Sequence, residues 1–171
     1  MPFPRTGILT ISDRSFRGER QDVSGRLLLN QVESQGWKVL WSEIIPDETE
    51  LIEDTLSKWA DSGEINVILT TGGTGFGLRD VTPEATQRVI ERETPGLAEA
   101  MRAESRKITP HGMLSRGITG IRGQTLIINL PGSPKAALEN LDVVIPVIPQ
   151  AIQLLQDDEG AEAGHKFPSP E

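Results

Sequence analysis

Short apolar runs fit for buried strands alternate along this chain with longer segments that place an apolar residue at every third or fourth position. Arg5 to Ile11 reads as a first strand, with Gly7 permitting close packing; Ser12-Asp13-Arg14 and a polar loop to about Gln21 follow. Asp22 to Gln35 predicts a helix, with Val23, Leu27, Leu28 and Val32 at near-helical spacing and Gly36 as a stop. Val39 to Ile45 is a second strand. Asp47 then reads as the N-cap of a helix, with Glu50 as its capping-box partner. Leu51, Ile52, Thr55, Leu56 and Trp59 form that helix's apolar face, and Asp61-Ser62-Gly63 ends it. Asn66 to Thr71 is apolar enough to lie in a parallel sheet.

The second half repeats the alternation. Thr82 reads as an N-cap with Pro83 at the first helical position, for a helix to about Arg92. Thr94-Pro95-Gly96 gives the same start for a helix to about Lys107, with Leu97, Met101 and Ile108 on one side. Ile118 to Arg122 and Thr125 to Asn129 flank Gly123-Gln124, which predicts a type II′ hairpin. Ser133 caps a further helix with Pro134 at its first position. Leu138, Leu141, Val144, Ile145, Ile148, Ile152 and Leu155 follow, with a break or kink at Pro146 and Pro149.

This order predicts an α/β fold: three layers, doubly wound, with a mostly parallel sheet and one antiparallel hairpin strand. Ligands in such folds bind beyond the carboxyl ends of the strands. Four polar segments follow predicted strands: Ser12-Asp13-Arg14, Pro46-Asp47-Glu48, the run from Thr71 to Asp80, and Pro131-Gly132-Ser133. They are expected to share one edge and one pocket.

Composition narrows the class. A length of 171 residues suits one domain, 1–156, and the acidic, proline-containing composition from Asp157 predicts a disordered tail, 157–171. The absence of cysteine excludes disulfides and Cys-based zinc sites. A net charge of −8 argues against a general nucleic-acid binder, so an anionic ligand needs local Arg, Lys and N–H groups. No apolar run approaches the roughly 18 residues of a membrane span, and the N-terminus lacks a signal segment; a soluble cytoplasmic protein is expected.

The chemistry concentrates in Thr71-Gly72-Gly73-Thr74-Gly75-Phe76-Gly77-Leu78-Arg79-Asp80. This is neither a P-loop nor a dinucleotide fingerprint. Four glycines in six positions exceed what one tight turn needs, and such a loop offers backbone N–H groups to phosphates. Asp80 can ligate Mg²⁺ on a polyphosphate while Arg79 pairs with phosphate oxygens; the plainer alternative is a turn residue in a surface ion pair. Asp47 and Ser133 are adequately explained as caps, yet both also line the same edge. Ser12 and Asp13 are pocket candidates. His111 reads as a loop residue, and Arg102, Arg106 and Lys107 as solvated helix charge. No Ser/His/Asp or Cys/His set emerges. Positioning plus metal electrostatics remains, which suits phosphoryl or nucleotidyl transfer.

The segments from Thr71 to Phe76 and from Arg79 to Thr86, with Ile45-Pro46-Asp47-Glu48 and Glu93-Thr94-Pro95-Gly96-Leu97, resemble the molybdopterin adenylyltransferase family. This is the MogA/MoaB-type domain, found also as the G domain of gephyrin. Ile108-Thr109-Pro110, Gly120-Ile121-Arg122-Gly123 and Leu130 to Ala136 extend the likeness over roughly residues 5 to 155. Gly77-Leu78 stands where that family often has a proline or threonine-proline, a departure that predicts a looser loop. The resemblance implies Mg²⁺-dependent adenylyl transfer from ATP to molybdopterin with release of pyrophosphate, a homotrimer, and a molybdenum insertase as downstream partner. It implies catalytic and metal roles for Asp47 and Asp80, and nucleotide binding by Gly72, Gly73, Thr74, Gly75, Arg79, Pro131, Gly132 and Ser133. Ser12, Asp13 and Ser105 fall in the implied substrate pocket. Two other readings stay open: a nucleotide pyrophosphatase of related fold, and a non-catalytic pterin-binding or scaffold domain.

Overall fold

A computed structural model describes residues 3–156; the tail expected over 157–171 lies outside the described residues. The chain runs β1 (Arg5–Ile11), α1 (Asp13–Phe16), α2 (Val23–Ser34), β2 (Lys38–Ile45), α3 (Thr49–Asp61), β3 (Val67–Thr71) and α4 (Thr82–Val89). It continues with β4 (Arg92–Glu93), α5 (Pro95–Ile108), a 3₁₀ turn (Pro110–Leu114), β5 (Thr119–Arg122), β6 (Thr125–Leu130), α6 (Pro134–Val144) and α7 (Ile148–Leu155). The sheet order is β2-β1-β3-β6-β5-β4. The pairs β1/β2, β1/β3 and β3/β6 are parallel, and β5 is antiparallel to both β6 and β4.

Alternation along the central strands makes the three layers. Ile8, Val67, Leu69, Leu126, Ile128 and Leu130 pack with Leu28 and Val32 of α2, Met101 of α5, Leu141 of α6 and Ile152 of α7. Leu9, Ile11, Ile68 and Ile127 point to the other face, against Ile52, Leu56 and Trp59 of α3 and Ala85 and Val89 of α4. Side chains two apart share a face, so strands apolar at every position serve both layers at once. Gly7 is required here: a Cβ on it would lie 2.7 Å from the Trp59 ring.

Several local expectations are corrected. Asp47 is not an N-cap and Glu50 makes no capping box: α3 begins at Thr49, Glu48 holds the N-cap position, and no side-chain cap bond forms. Thr82 lies inside α4, whose N-cap position is Val81, because the Thr82 hydroxyl donates to the Gly72 carbonyl. That helix stops at Val89 rather than Arg92. Arg92 and Glu93 form β4 instead, giving two antiparallel pairs where one was expected. The segment after β1 is a short helix, with Ser12 as its N-cap, before the loop. Val23, Leu51 and Ile108, placed on apolar faces by spacing, are exposed. Arg102 is not merely solvated charge: it donates to the Gly117 carbonyl at 2.7 Å. Gly123 does take a positive φ, 55°, at the hairpin turn. The last two helices bend by 60° across the Pro146 break.

Candidate active site

The order of strand addition reverses across the sheet between β1 and β3, and the carboxyl ends of these strands open a crevice there. Ser12 follows β1, Asp47 follows β2, the glycine loop follows β3, and Pro131-Gly132-Ser133 follows β6. Two lobes meet at this edge. One, of about 390 Å³, is lined by Ser12, Asp22, Asp47, Gly72 and other residues of α2 and the strand ends. The second, of about 470 Å³, is lined by Thr74, Gly75, Ser105, His111, Pro131 and neighbours. Gly73, Asp80, Gly132 and Ser133 belong to both, so Asp80 stands at the junction.

Backbone conformation sets the glycine loop. Gly72 and Gly73 have φ of 105° and 66°, values costly for any residue with a Cβ. A Cβ on Gly72 would lie 2.1 Å from the Ile11 carbonyl, and one on Gly73 would lie 2.2 Å from the Thr82 hydroxyl and 3.1 Å from an Asp47 oxygen. The loop therefore passes tightly against the end of β1, the start of α4 and Asp47. Further along, the Gly77 N–H donates to Asp80 Oδ2 at 2.8 Å. A Cβ at Gly75 or Gly77 would crowd that same oxygen at 2.8 Å, so two glycines make room for one carboxylate.

The opposite wall is held by neutral bonds. The Ser24 hydroxyl donates to the Gly132 carbonyl and the Thr71 hydroxyl to the Pro131 carbonyl, each at 2.7 Å. Ser133 occupies the N-cap position of α6, as expected, but its hydroxyl makes no cap bond. Ser105 accepts from the Asn140 amide at 2.9 Å. His111 sits on the wall of the second lobe, its Nδ1 3.1 Å from the Thr109 hydroxyl.

Asp13 and Asp47 bind each other's backbone. The Asp13 N–H donates to Asp47 Oδ2 at 2.8 Å, and the Asp47 N–H donates to Asp13 Oδ1 at 3.0 Å. Arg79 grips Asp13 with Nε and Nη2, both at 2.9 Å, and also reaches Glu48 at 2.9 Å. Hydrogen bonding to Arg79 holds the Asp13 carboxyl below its ordinary range. Burial pushes Asp47 upward, against the pull of the Asp13 N–H, and the charges of Asp13 and Asp80 push it further. Asp47 is a half-buried carboxylate facing others. Among the described residues no group of three or more His, Cys, Asp or Glu side chains gathers for a metal ion.

Of the residues singled out from sequence, Ser12, Asp47, Gly72, Gly73, Asp80, Gly132 and Ser133 line the first lobe, and Thr74, Gly75, Ser105 and Pro131 the second. Asp13 and Arg79 line neither and instead form an ion pair on the rim. Sequence reasoning missed Asp22 and Ser24, whose signal was the α2 cap beginning at the same sheet edge. It also missed Arg116, which donates to the carbonyls of Gly75 and Asp80 at 2.7 and 2.6 Å and pairs with Glu84. Nothing local in the sequence marks that arginine.

Known proteins resemble this chain in sequence and in fold. The chain is 43% identical over 157 residues to the molybdopterin adenylyltransferase of Helicobacter pylori, covering 87% of this chain and 86% of that protein. It is 46% identical over 153 residues to the molybdenum cofactor synthesis protein cinnamon of Drosophila melanogaster, covering 89% of this chain but only 26% of that longer protein. The solved structure of the molybdopterin biosynthesis enzyme MoaB from Thermus thermophilus superimposes with a TM-score of 0.86 at 48% identity, over 91% of this chain and 98% of that one. With residues 7–150 matched by the family described as a probable molybdopterin binding domain, this chain belongs to that family.

Proposed function

We propose that this chain is a molybdopterin adenylyltransferase: ATP and molybdopterin give adenylylated molybdopterin and pyrophosphate. The observation that carries the reading is the pair of lobes joined at Gly73, Asp80, Gly132 and Ser133, which suits two substrates meeting at one reacting phosphate. The likeness to the Helicobacter pylori enzyme over most of both chains supports it. The terminal phosphate of the pterin attacks the α-phosphate of ATP, forming a new P–O–P bond as the bond to pyrophosphate breaks. No protein nucleophile is needed, so the residues contribute position and charge.

In this reading Gly72, Gly73, Thr74 and Gly75 present backbone to the nucleotide phosphates, and Gly132 and Ser133 close the other side. Asp47 and Asp80 would hold Mg²⁺. The fit rests on Asp47, a half-buried carboxylate pushed upward by burial and by two neighbouring acids, and so relieved by a cation. Magnesium takes one or two carboxylates and completes its shell with phosphate oxygens and water, so a two-acid donor set suffices. When bound, the ion would offset charge developing on the leaving pyrophosphate. Arg79, engaged by Asp13 and Glu48, braces the loop on the rim rather than meeting phosphate. The working form is a homotrimer in the cytoplasm that passes its product to a molybdenum insertase; light scattering tests the trimer.

The decisive experiment incubates the chain with ATP, Mg²⁺ and molybdopterin. Adenylylated pterin and stoichiometric pyrophosphate are expected. ATP turnover independent of the pterin, with water as acceptor, would overturn the assignment.

A further inference from the structure

Arg116 lies between the 3₁₀ turn and β5 and reaches across to the glycine loop. Its own N–H donates to the Thr74 carbonyl at 2.9 Å. Its Nε takes the Gly75 carbonyl at 2.7 Å and its Nη2 the Asp80 carbonyl at 2.6 Å. Its remaining nitrogen pairs with Glu84 in the first turn of α4, where the guanidinium holds that carboxyl below its ordinary range. One residue thus holds three carbonyls of the loop and ties them to the helix that follows. Its neighbour Gly117 is fixed in turn by Arg102 of α5.

The peptide geometry gives this grip a consequence. In a trans peptide the carbonyl and the next N–H point in opposite directions, and the described residues contain no cis bond. Drawing the Thr74 and Gly75 carbonyls to Arg116 therefore turns the N–H groups of Gly75 and Phe76 away from it. Among the described residues, the N–H groups of Gly73, Thr74, Gly75 and Phe76 donate to no protein acceptor. Consecutive free N–H groups turned from their carbonyls form a concavity for an anion. A guanidinium suits the task because its donors are fixed in one plane, whereas a lysine ammonium is a single point charge.

The geometry points to Arg116 as a positioning residue that holds the glycine loop with its N–H groups presented to the phosphates of the nucleotide. Arg116 touches the loop's carbonyls and acts on the ligand only through the loop. The inference rests on the proposed adenylyl transfer for the identity of the nucleotide, but not for the presentation of N–H groups to a polyphosphate.

The test uses inorganic pyrophosphate as probe, titrated by calorimetry into the full chain and into Arg116→Ala and Arg116→Lys. Losing charge-assisted bonds that fix the loop should weaken pyrophosphate binding by about tenfold or more in Arg116→Ala, with Arg116→Lys between the two. In steady-state assays the KM for ATP should rise by a similar factor, while the KM for molybdopterin stays within about twofold. Arg116→Lys keeps the charge and carries the same comparison should the alanine variant not fold. Pyrophosphate bound equally by all three proteins overturns the inference, as does a wild-type chain that does not bind it. Equal rises in both KM values, without loss of pyrophosphate affinity, show a merely structural role and also overturn it. If wild type binds pyrophosphate and Arg116→Ala does not, yet no adenylylated pterin forms, the inference stands and the adenylyltransferase reading fails. If product forms and the variants bind as wild type does, the reverse holds.

Discussion

Asp13 and Asp47 stand at the ends of neighbouring strands and exchange the same bond, backbone N–H to carboxylate, in both directions. On the outer rim, Asp13 also receives a two-pronged arginine, which holds its carboxyl below the ordinary range. On the floor, Asp47 meets no arginine fork; burial and the charges of Asp13 and Asp80 push it the other way. On the rim Arg79 pairs with both Asp13 and Glu48 and so fixes the ends of β1, β2 and the glycine loop relative to each other. The floor is left with negative charge that the protein does not neutralise. Such imbalance adds nothing to stability, and functional sites are where it recurs. The rim is thus expected to respond in stability and the floor in activity.

The largest expected effect strikes the floor. Asp80→Asn keeps an oxygen that can accept the Gly77 N–H, so the loop should keep its shape while losing a charge. Adenylyl transfer should fall by about 10²–10³, the cost of removing one electrostatic stabiliser. The melting temperature should stay within a few degrees, as for substitutions that disturb no packing. Transfer assays beside thermal denaturation check this, and full magnesium-dependent activity in the variant would remove Asp80 from the chemistry. A second substitution, at the backbone junction of β1 and the loop, lies outside the charge comparison and is read in stability. Gly72→Ala combines a φ of 105° with a Cβ 2.1 Å from the Ile11 carbonyl, so β1 and the loop must part. A loss of about 3 kcal/mol or more in urea denaturation is expected. Gly63, with φ 71° and nothing within 4 Å, is the control and should lose only about 1 kcal/mol on the same change.

How much of this was legible in the sequence follows the range of the interactions. The apolar runs of β1, β3 and β6 announced themselves, because a strand buried on both faces must be apolar at nearly every position. The placing of four polar segments on one edge followed from their position after strands. The caps were misread because Asp47 and Thr82 have distant competitors: the Asp13 N–H, 34 residues away, and the Gly72 carbonyl, ten residues away. Local propensity cannot weigh such partners. β4 has two residues, too few to show a period, and is held by its pairing with β5. Arg116 reaches carbonyls 36 and 41 residues upstream, and only the folded chain brings them together.

A smaller effect is expected on the rim. Asp13→Asn keeps the oxygen that accepts the Asp47 N–H but removes the charge facing Arg79. The Arg79 side chain is 56% exposed, so solvent screens the pair and the expected loss is small. The loss should shrink in high salt, because the screening length falls to about 3 Å at 1 M. Urea titrations of both proteins at two salt concentrations measure it. A loss that salt does not touch would mean that Asp13 acts by shape alone.

The smallest effect has the opposite sign and separates the two carboxylates most sharply. For Asp13 the folded value lies below the unfolded one. Its stabilisation is complete above the ordinary aspartate range near 3.9 and is lost as pH falls through the lowered value. For Asp47 the folded value lies above the unfolded one. In the window between them the folded chain binds more protons than the unfolded chain, so stability falls as pH rises through it. At neutral pH the ionised Asp47 is therefore a cost. Asp47→Asn, which retains an acceptor for the Asp13 N–H, should raise stability at pH 7 by a modest amount, because partial exposure lets solvent screen the charge. The advantage should shrink as pH falls through the raised folded value and be lost below the ordinary aspartate range, where both states hold the proton. The same variant should lose adenylyl transfer, a stability gain coupled to a functional loss that the rim substitution cannot imitate. Denaturation midpoints of wild type and variant across pH 3 to 8 decide the matter. An Asp47→Asn chain no more stable than wild type at pH 7 would show that the floor carboxylate is already compensated, and the contrast with Asp13 would collapse.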